Sequence, residues 1–203
     1  MPFGIVSKPL QTWLNALRLQ EQGDAMQQLT AGITKANTGL EGIVWNILGQ
    51  IYVPKSLNEQ SFSWHATFPV GTFVPPHIHP TQDEFIYLLD GRLDLMLDGK
   101  DFVATTGDLI RLPMNMSHGI FNKSDQTVKC FFWVTPTRRL YDLFWGIHSM
   151  KEQKPEDVVA LAATYNIHFL PPPPGATAIF GSPGAPTMLP PAQGQPPVVI
   201  NPP

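Results

Sequence analysis

Hydrophobic and polar positions change their period twice along this chain. From Trp13 to Leu29 the apolar residues Trp13, Leu14, Leu17, Met26 and Leu29 recur at near-helical spacing among Gln, Asn and Arg. That spacing predicts one or two amphipathic helical segments in an N-terminal arm, residues 1–42. From Ile43 to Thr135, β-branched and aromatic runs are punctuated by Gly, Pro and Asp-Gly, the pattern of short strands at close intervals. Two Asp-Gly pairs, Asp90-Gly91 and Asp98-Gly99, flank a stretch in which Leu93, Leu95 and Leu97 fall on one face. Both central residues of a type I′ turn need positive φ, so Asp-Gly signals a tight hairpin. Phe85 to Ala104 therefore reads as three consecutive antiparallel strands.

After Pro136 the period turns helical, around Leu140 to Ile147 and again from Pro155. In the second segment a proline occupies the first turn, and Glu156 and Asp157 sit at the positive end of the helix dipole. Val158, Leu161, Ala162 and Tyr165 then repeat at helical spacing. The organisation expected is a strand-rich unit over 43–136 with helices over 137–170 packed on it. Residues 171–203 contain no charged residue and 12 of the 22 prolines, which predicts an extended, flexible tail.

Composition narrows the function classes. The formal net charge is −3 and no basic run occurs, so nucleic acid is not an expected partner. Lys8, Gln11, Asn15 and Arg18 interrupt the N-terminal stretch, which thus lacks the apolar run of a signal peptide, and no apolar run is long enough to span a bilayer. A cytoplasmic location without membrane contact is expected. On that reading the glycosylation patterns at Asn115 and Asn122 never meet their chemistry. Cys130 is the only cysteine, which excludes an internal disulfide and any CxxC motif. Its apolar setting predicts a small core residue and not a nucleophile.

The candidate chemistry lies in two stretches. Side chains alternate across a strand, so His77 and His79 share a face, about 6–7 Å apart at Cα, close enough for two imidazoles to share one ion. Glu84, five residues beyond His79, would face the other way on an unbroken strand. Pro80 lacks a ladder donor and Thr81-Gln82-Asp83 is turn-compatible, so a break is written between them. Asp83 and Glu84 are chemically equivalent candidates at this point. In the second stretch, Gly107, Pro113 and Asn115 bracket an apolar strand, and His118 opens another with Ile120 in phase. His65, His148 and His168 are read as structural. Arg111 is out of phase with Ile110 and Leu112 and is expected at the surface.

These stretches resemble the two cupin motifs. Glycine, five residues, His-x-His, four residues, Glu, six residues, glycine is matched from Gly71 to Gly91. The second motif, from Gly107 through Pro113 and His118 to Asn122, is matched except that Asn115 replaces the inner glycine; asparagine tolerates positive φ, so the turn is expected to survive. Fifteen residues separate the motifs. The resemblance, over roughly residues 43–135, implies a mainly β fold, a double-stranded β-helix or jelly-roll barrel, here with flanking N- and C-terminal helices. It implies His77, His79, Glu84 and His118 as ligands of one divalent transition metal: Fe, Mn, Ni, Co, Cu or Zn. Many cupins are dimers, so a homodimer is expected, with the apolar arm as one candidate contact.

A looser resemblance runs to single-domain proteins of the quercetin 2,3-dioxygenase-like group. It implies oxygen-dependent cleavage of a flavonol or enolisable diketone, with Glu84 as ligand, general base or both. Phase places Phe73, Ile86, Leu88 and Ile120 as walls of a pocket for a small organic substrate, or else as ordinary barrel packing. The alternatives are a metal-dependent isomerase, decarboxylase or lyase, and a non-catalytic small-molecule-binding cupin.

Overall fold

The computed structural model describes residues 30–171 and the backbone of Val198–Val199. The helical segments expected between Trp13 and Leu29, and nearly all of the proline-rich tail, lie outside the described residues. Ten strands occupy the region read as β: β1 (Trp45–Ile47), β2 (Gln50–Leu57), β3 (Phe62–Phe68), β4 (Phe73–Ile78), β5 (Asp83–Asp90), β6 (Arg92–Leu97), β7 (Lys100–Thr105), β8 (Leu109–Leu112), β9 (His118–Phe121) and β10 (Val128–Thr135). Helices α1 (Leu140–His148) and α2 (Pro155–Thr164) follow, then β11 (His168–Phe169) and β12 (Val198–Val199). One sheet has the order β1-β2-β3-β10-β5-β8, the other β11-β4-β9-β6-β7-β12. The fold is mainly β, two sheets face to face, as expected of a jelly roll.

Strict alternation creates the core. Phe62, Trp64, Ala66 and Phe68 of β3 point inward while Ser63, His65 and Thr67 do not. Cys130, Phe132 and Val134 of β10 and Leu93, Leu95 and Leu97 of β6 do the same from either side. Cys130 is fully buried and burial pushes its thiol well above the usual range, in keeping with a core residue.

One sequence expectation needs correction. β6 and β7 form a tight hairpin at Asp98-Gly99, whose φ values of 49° and 75° suit a primed turn. Asp90-Gly91 is not a hairpin: β5 pairs with β10 and β8, β6 pairs with β7 and β9, and the chain crosses between sheets at Gly91. Only Gly91, at φ 96°, has positive φ there. A Cβ at Gly91 would also lie 3.1 Å from Val128 Cγ2. Gly91→Ala is therefore expected to destabilise the fold by about 1–2 kcal/mol, seen as a lower urea midpoint with an unchanged denaturant slope.

Both C-terminal helices form as read, with Pro155 in the first turn of α2. α1 buries Leu140, Leu143, Phe144 and Ile147, and α2 buries Val158 and Ala162, all in the same core as the strands. Phe144 meets Tyr52 and Trp64 edge-on, each at 5.1 Å between centroids. β11 extends the second sheet by pairing with β4, and the Leu170 N–H donates to the Pro76 carbonyl. No helix among the described residues is long and apolar enough to cross a membrane.

Candidate metal centre

Local sequence aims each donor. Pro75 and Pro76 cannot donate to the ladder, and the β4–β9 register shifts there. Phe73 pairs with Phe121, Val74 with Ile120, and His77 with His118. His77 and His118 are thus cross-strand partners on the inner face. His79 lies one residue beyond β4, and the chain turns through Pro80–Gln82 before Glu84 enters the opposite sheet. Asn115 holds φ 64°, so the turn that delivers His118 is kept without the motif's glycine. Three imidazoles from one sheet therefore meet one carboxyl from the other.

All four residues are buried, none more than 4% exposed, and one potential ligand atom from each lies within 4.8 Å of the others. His79 Nε2 is 3.3 Å and His118 Nε2 is 3.9 Å from Glu84 Oε2. The Nδ1–H groups of His77 and His118 can donate to the Pro75 and Met116 carbonyls, at 2.8 and 3.0 Å. That tautomer leaves each Nε2 lone pair free for a cation. Asp83 is spoken for elsewhere: its Oδ1 accepts the Met114 N–H at 2.9 Å. Geometry thereby separates the two acids that spacing left equivalent. His65, His148 and His168 do not join the cluster; His148 Nδ1 accepts the Asn46 N–H at 3.1 Å.

Burial drives the electrostatics. It holds His77 well below the usual imidazole range, lowers His79 to about 3 with help from nearby His118, and lowers His118 to about 4. It pushes Glu84 up to about 8. Without a cation, at neutral pH, the cluster is three neutral imidazoles and a carboxylic acid. His118 Nε2 and His79 Nδ1 are buried without a hydrogen-bond partner among the described residues. The Gln82 carboxamide partly opposes the lowering of His79, yet it does not reach hydrogen-bond geometry with Nδ1. Its N–H groups donate instead to Pro136 and Thr137 carbonyls, at 3.1 and 2.7 Å. The Nε2 atoms of His79 and His118 face the buried Glu84 acid, and that of His118 has no hydrogen-bond partner among the described residues; such a set suits a divalent cation, which would bind the lone pairs and keep the carboxylate ionised. The residues present fit a metal. Nitrogen and oxygen donors of this kind accept any of the six metals expected.

The cluster borders a cavity of about 60 Å³, reached at His77, His79 and Glu84. Of the four pocket residues expected from phase, only Ile120 lines it. Ile86 and Leu88 share the inward face of Glu84 but are fully buried packing. Phe73 lies on the other face of β4, stacked on Phe121 at 5.7 Å, because the shift at Pro75-Pro76 puts Val74 in phase with His77 instead. The remaining wall comes from Gln50, Tyr52, Trp64 and Phe132 on the first sheet and from Leu143, Phe144, Val158 and Phe169 of the C-terminal segment, among others. The Pro-Pro pair was the available signal for the phase change. Nothing local in the sequence marks Tyr52 or Phe144 as cavity residues.

Comparison with known proteins agrees with this geometry. Residues 64–135 match the cupin domain family Cupin_2. A polyketide synthase protein, CurC of Streptomyces cyaneus, is 32% identical over 66 residues, 32% of this chain and 43% of that protein. Quercetin 2,3-dioxygenase of Bacillus subtilis is 35% identical over 57 residues, 28% of this chain and 17% of that protein. This chain thus spans less than half the length of either relative. Among solved structures, KdgF from Halomonas sp. superposes with a TM-score of 0.50 at 18% identity, covering 55% of this chain and 99% of that one. An RmlC-like cupin from Shewanella frigidimarina also gives 0.50 at 18% identity, covering 57% and 99%. The two facing sheets, the family match over 64–135 and the buried His-His-Glu-His cluster together support the cupin superfamily for the barrel of this chain.

Proposed function

We propose that this protein is a metal-dependent cupin dioxygenase that cleaves a carbon–carbon bond of a small, neutral, enolisable ketone of the β-diketone class. The observation that carries the reading is the cluster's setting: it borders a small apolar cavity whose lining among the described residues includes no Lys or Arg. An anionic sugar phosphate or dicarboxylate would find no countercharge on that wall. The size also favours a diketone over a flavonol. The cavity is about 60 Å³, whereas pockets for drug-sized ligands run to roughly 300–1,000 Å³. A multi-ring flavonol would need α1 and α2 to withdraw.

The relatives support the same class. Quercetin carries a hydroxyl beside a ring ketone, and polyketide chains carry carbonyls on alternate carbons, so both names share an enolisable oxygen pair. His77, His79, Glu84 and His118 would hold the ion. Bound there, a divalent metal supplies positive charge that acidifies an enol. Glu84 can take the substrate proton as its carboxylate, and the Phe132 and Phe144 rings exclude bulk water from that transfer.

The test is oxygen uptake by metal-loaded protein with pentane-2,4-dione and with quercetin. We expect one O₂ consumed per dione, both oxygen atoms in the cleaved fragments, and a loss of at least about 100-fold in Glu84→Gln. Equal turnover without oxygen would replace this reading with a metal-dependent isomerase, decarboxylase or lyase. Binding without product would make the protein a non-catalytic cupin.

A further inference from the structure

The cavity has polar groups that the metal cluster does not use. Gln50 and Tyr52 alternate on β2, so both side chains point inward, and both line the cavity. The Tyr52 hydroxyl donates to Gln50 Oε1 at 2.7 Å, and Gln50 Nε2 donates to the Phe73 carbonyl at 3.1 Å. Among the described residues these two donations leave a Tyr52 oxygen lone pair and the second Gln50 N–H uncommitted. Trp64, on the neighbouring strand, lines the same cavity. The residue is 2% exposed and its indole N–H has no hydrogen-bond partner among the described residues. An indole can only donate, and a buried donor left unmade is costly, so an acceptor supplied by a ligand would relieve it. The Trp45 indole N–H is also without a hydrogen-bond partner among the described residues, but Trp45 does not line the cavity.

We infer that Gln50, Tyr52 and Trp64 form a second, oxygen-binding subsite, which takes a carbonyl or hydroxyl oxygen of a neutral substrate whose other oxygen lies at the His77/His79/Glu84/His118 cluster. The three groups are uncharged hydrogen-bonding side chains, which suits a ketone, an enol or an alcohol and not a carboxylate or phosphate. Burial, then Glu84 and Cys130, keep the Tyr52 phenol protonated well above the usual range, so it stays neutral throughout the working pH. Trp64 is held by stacking on Phe62 and Phe132, at 4.9 and 5.1 Å, so its donor is pre-positioned. Two oxygen sites in one cavity distinguish a dicarbonyl from a monoketone. In this respect the inference rests on the diketone reading above.

The experiment is ¹H–¹⁵N NMR of the zinc-loaded, full-length protein, following the indole N–H signals. There are five tryptophans, and Trp64→Phe assigns the relevant signal. The probes are acetone and pentane-2,4-dione. We expect the Trp64 indole signal to move downfield and saturate with either probe, the dione binding more tightly. Tyr52 offers its free lone pair to the hydroxyl of the dione's enol form, since its own O–H is given to Gln50, so Tyr52→Phe is expected to weaken dione binding about three- to tenfold, the worth of that one hydrogen bond. A Trp64 signal that stays in place at high concentrations of both probes overturns the subsite, and so does the failure of all five indole signals to move, a result that needs no variant to fold. So does a Tyr52→Phe protein that folds and binds the dione as tightly as the parent. Turnover of the dione with an unmoved Trp64 signal would sink the subsite and leave the dioxygenase reading intact. A saturating shift without oxygen uptake would do the reverse.

Discussion

Replacing His118 by alanine is expected to reduce bound metal from about one equivalent to a trace and to abolish any turnover, while leaving the fold intact. His118 is 1% exposed, its Nδ1 is tied to the Met116 carbonyl, and its Nε2 faces the cluster with no hydrogen-bond partner among the described residues. Altering groups that merely orient a metal ligand costs about 10–100-fold in affinity; deleting a ligand costs at least the upper end of that range. His79→Ala should behave alike. Elemental analysis after dialysis against the metal reads the result, with circular dichroism to confirm the strands. Asp83→Asn is the internal control. Asp83 accepts a backbone N–H from Met114 and lies outside the cluster, so its loss should leave the metal in place. A His118→Ala protein that retains full metal would show that the ion, if any, binds elsewhere.

Metal binding is expected to release close to one proton per ion at pH 7 and to raise the melting temperature, with a gain that grows as pH rises toward 8. Burial raises the Glu84 carboxyl from 4.5 to about 8 in the metal-free protein, so at pH 7 the acid must lose its proton to become a ligand. The imidazoles release none, because they are already neutral. Without metal, two opposing trends follow. A raised carboxyl favours the folded state below about 4.5 and loses that contribution as pH climbs to about 8. Lowered histidines act oppositely: folding is unpenalised above 6.5, and stability falls as pH drops from there toward about 4 and 3. Three histidines outweigh one carboxyl until about two thirds of the unfolded-state imidazoles are neutral, so the metal-free protein should be most stable slightly below pH 7. Saturation at about a thousand times Kd adds about 4 kcal/mol, or about 10 °C for a domain of this size. Calorimetric titration in two buffers of different ionisation heat counts the protons. A count near zero at pH 7 would mean that Glu84 is already ionised without metal or never binds it.

His77, His79 and His118 could be read from the sequence as candidate ligands because the features that aim them are local, and the resemblance to the cupin motif added Glu84. Pro80 and the polar turn after it reverse the phase between His79 and Glu84, and Asn115 supplies the positive φ before His118. Strand alternation likewise made Leu93, Leu95 and Leu97 core residues, and Pro155 with its two acids marked the start of α2. Chemistry alone did not separate Asp83 from Glu84; a hydrogen bond to Met114, 31 residues away, does.

Whatever depended on a distant partner was settled only in three dimensions. Asp90-Gly91 and Asp98-Gly99 are the same dipeptide, yet one closes a hairpin and the other carries the chain between sheets. The difference lies in which strands β5 and β6 find, since a turn residue permits a backbone angle without choosing the neighbour. Phe73 left the site because β9 accommodates two β4 residues opposite one of its own. Tyr52, Trp64 and Phe144 meet around the cavity although up to 92 positions separate them, as counted from their numbers. Donor identity and strand phase are properties of a few consecutive residues, whereas a cavity is the space left after all the elements have packed, and no single segment encodes its shape.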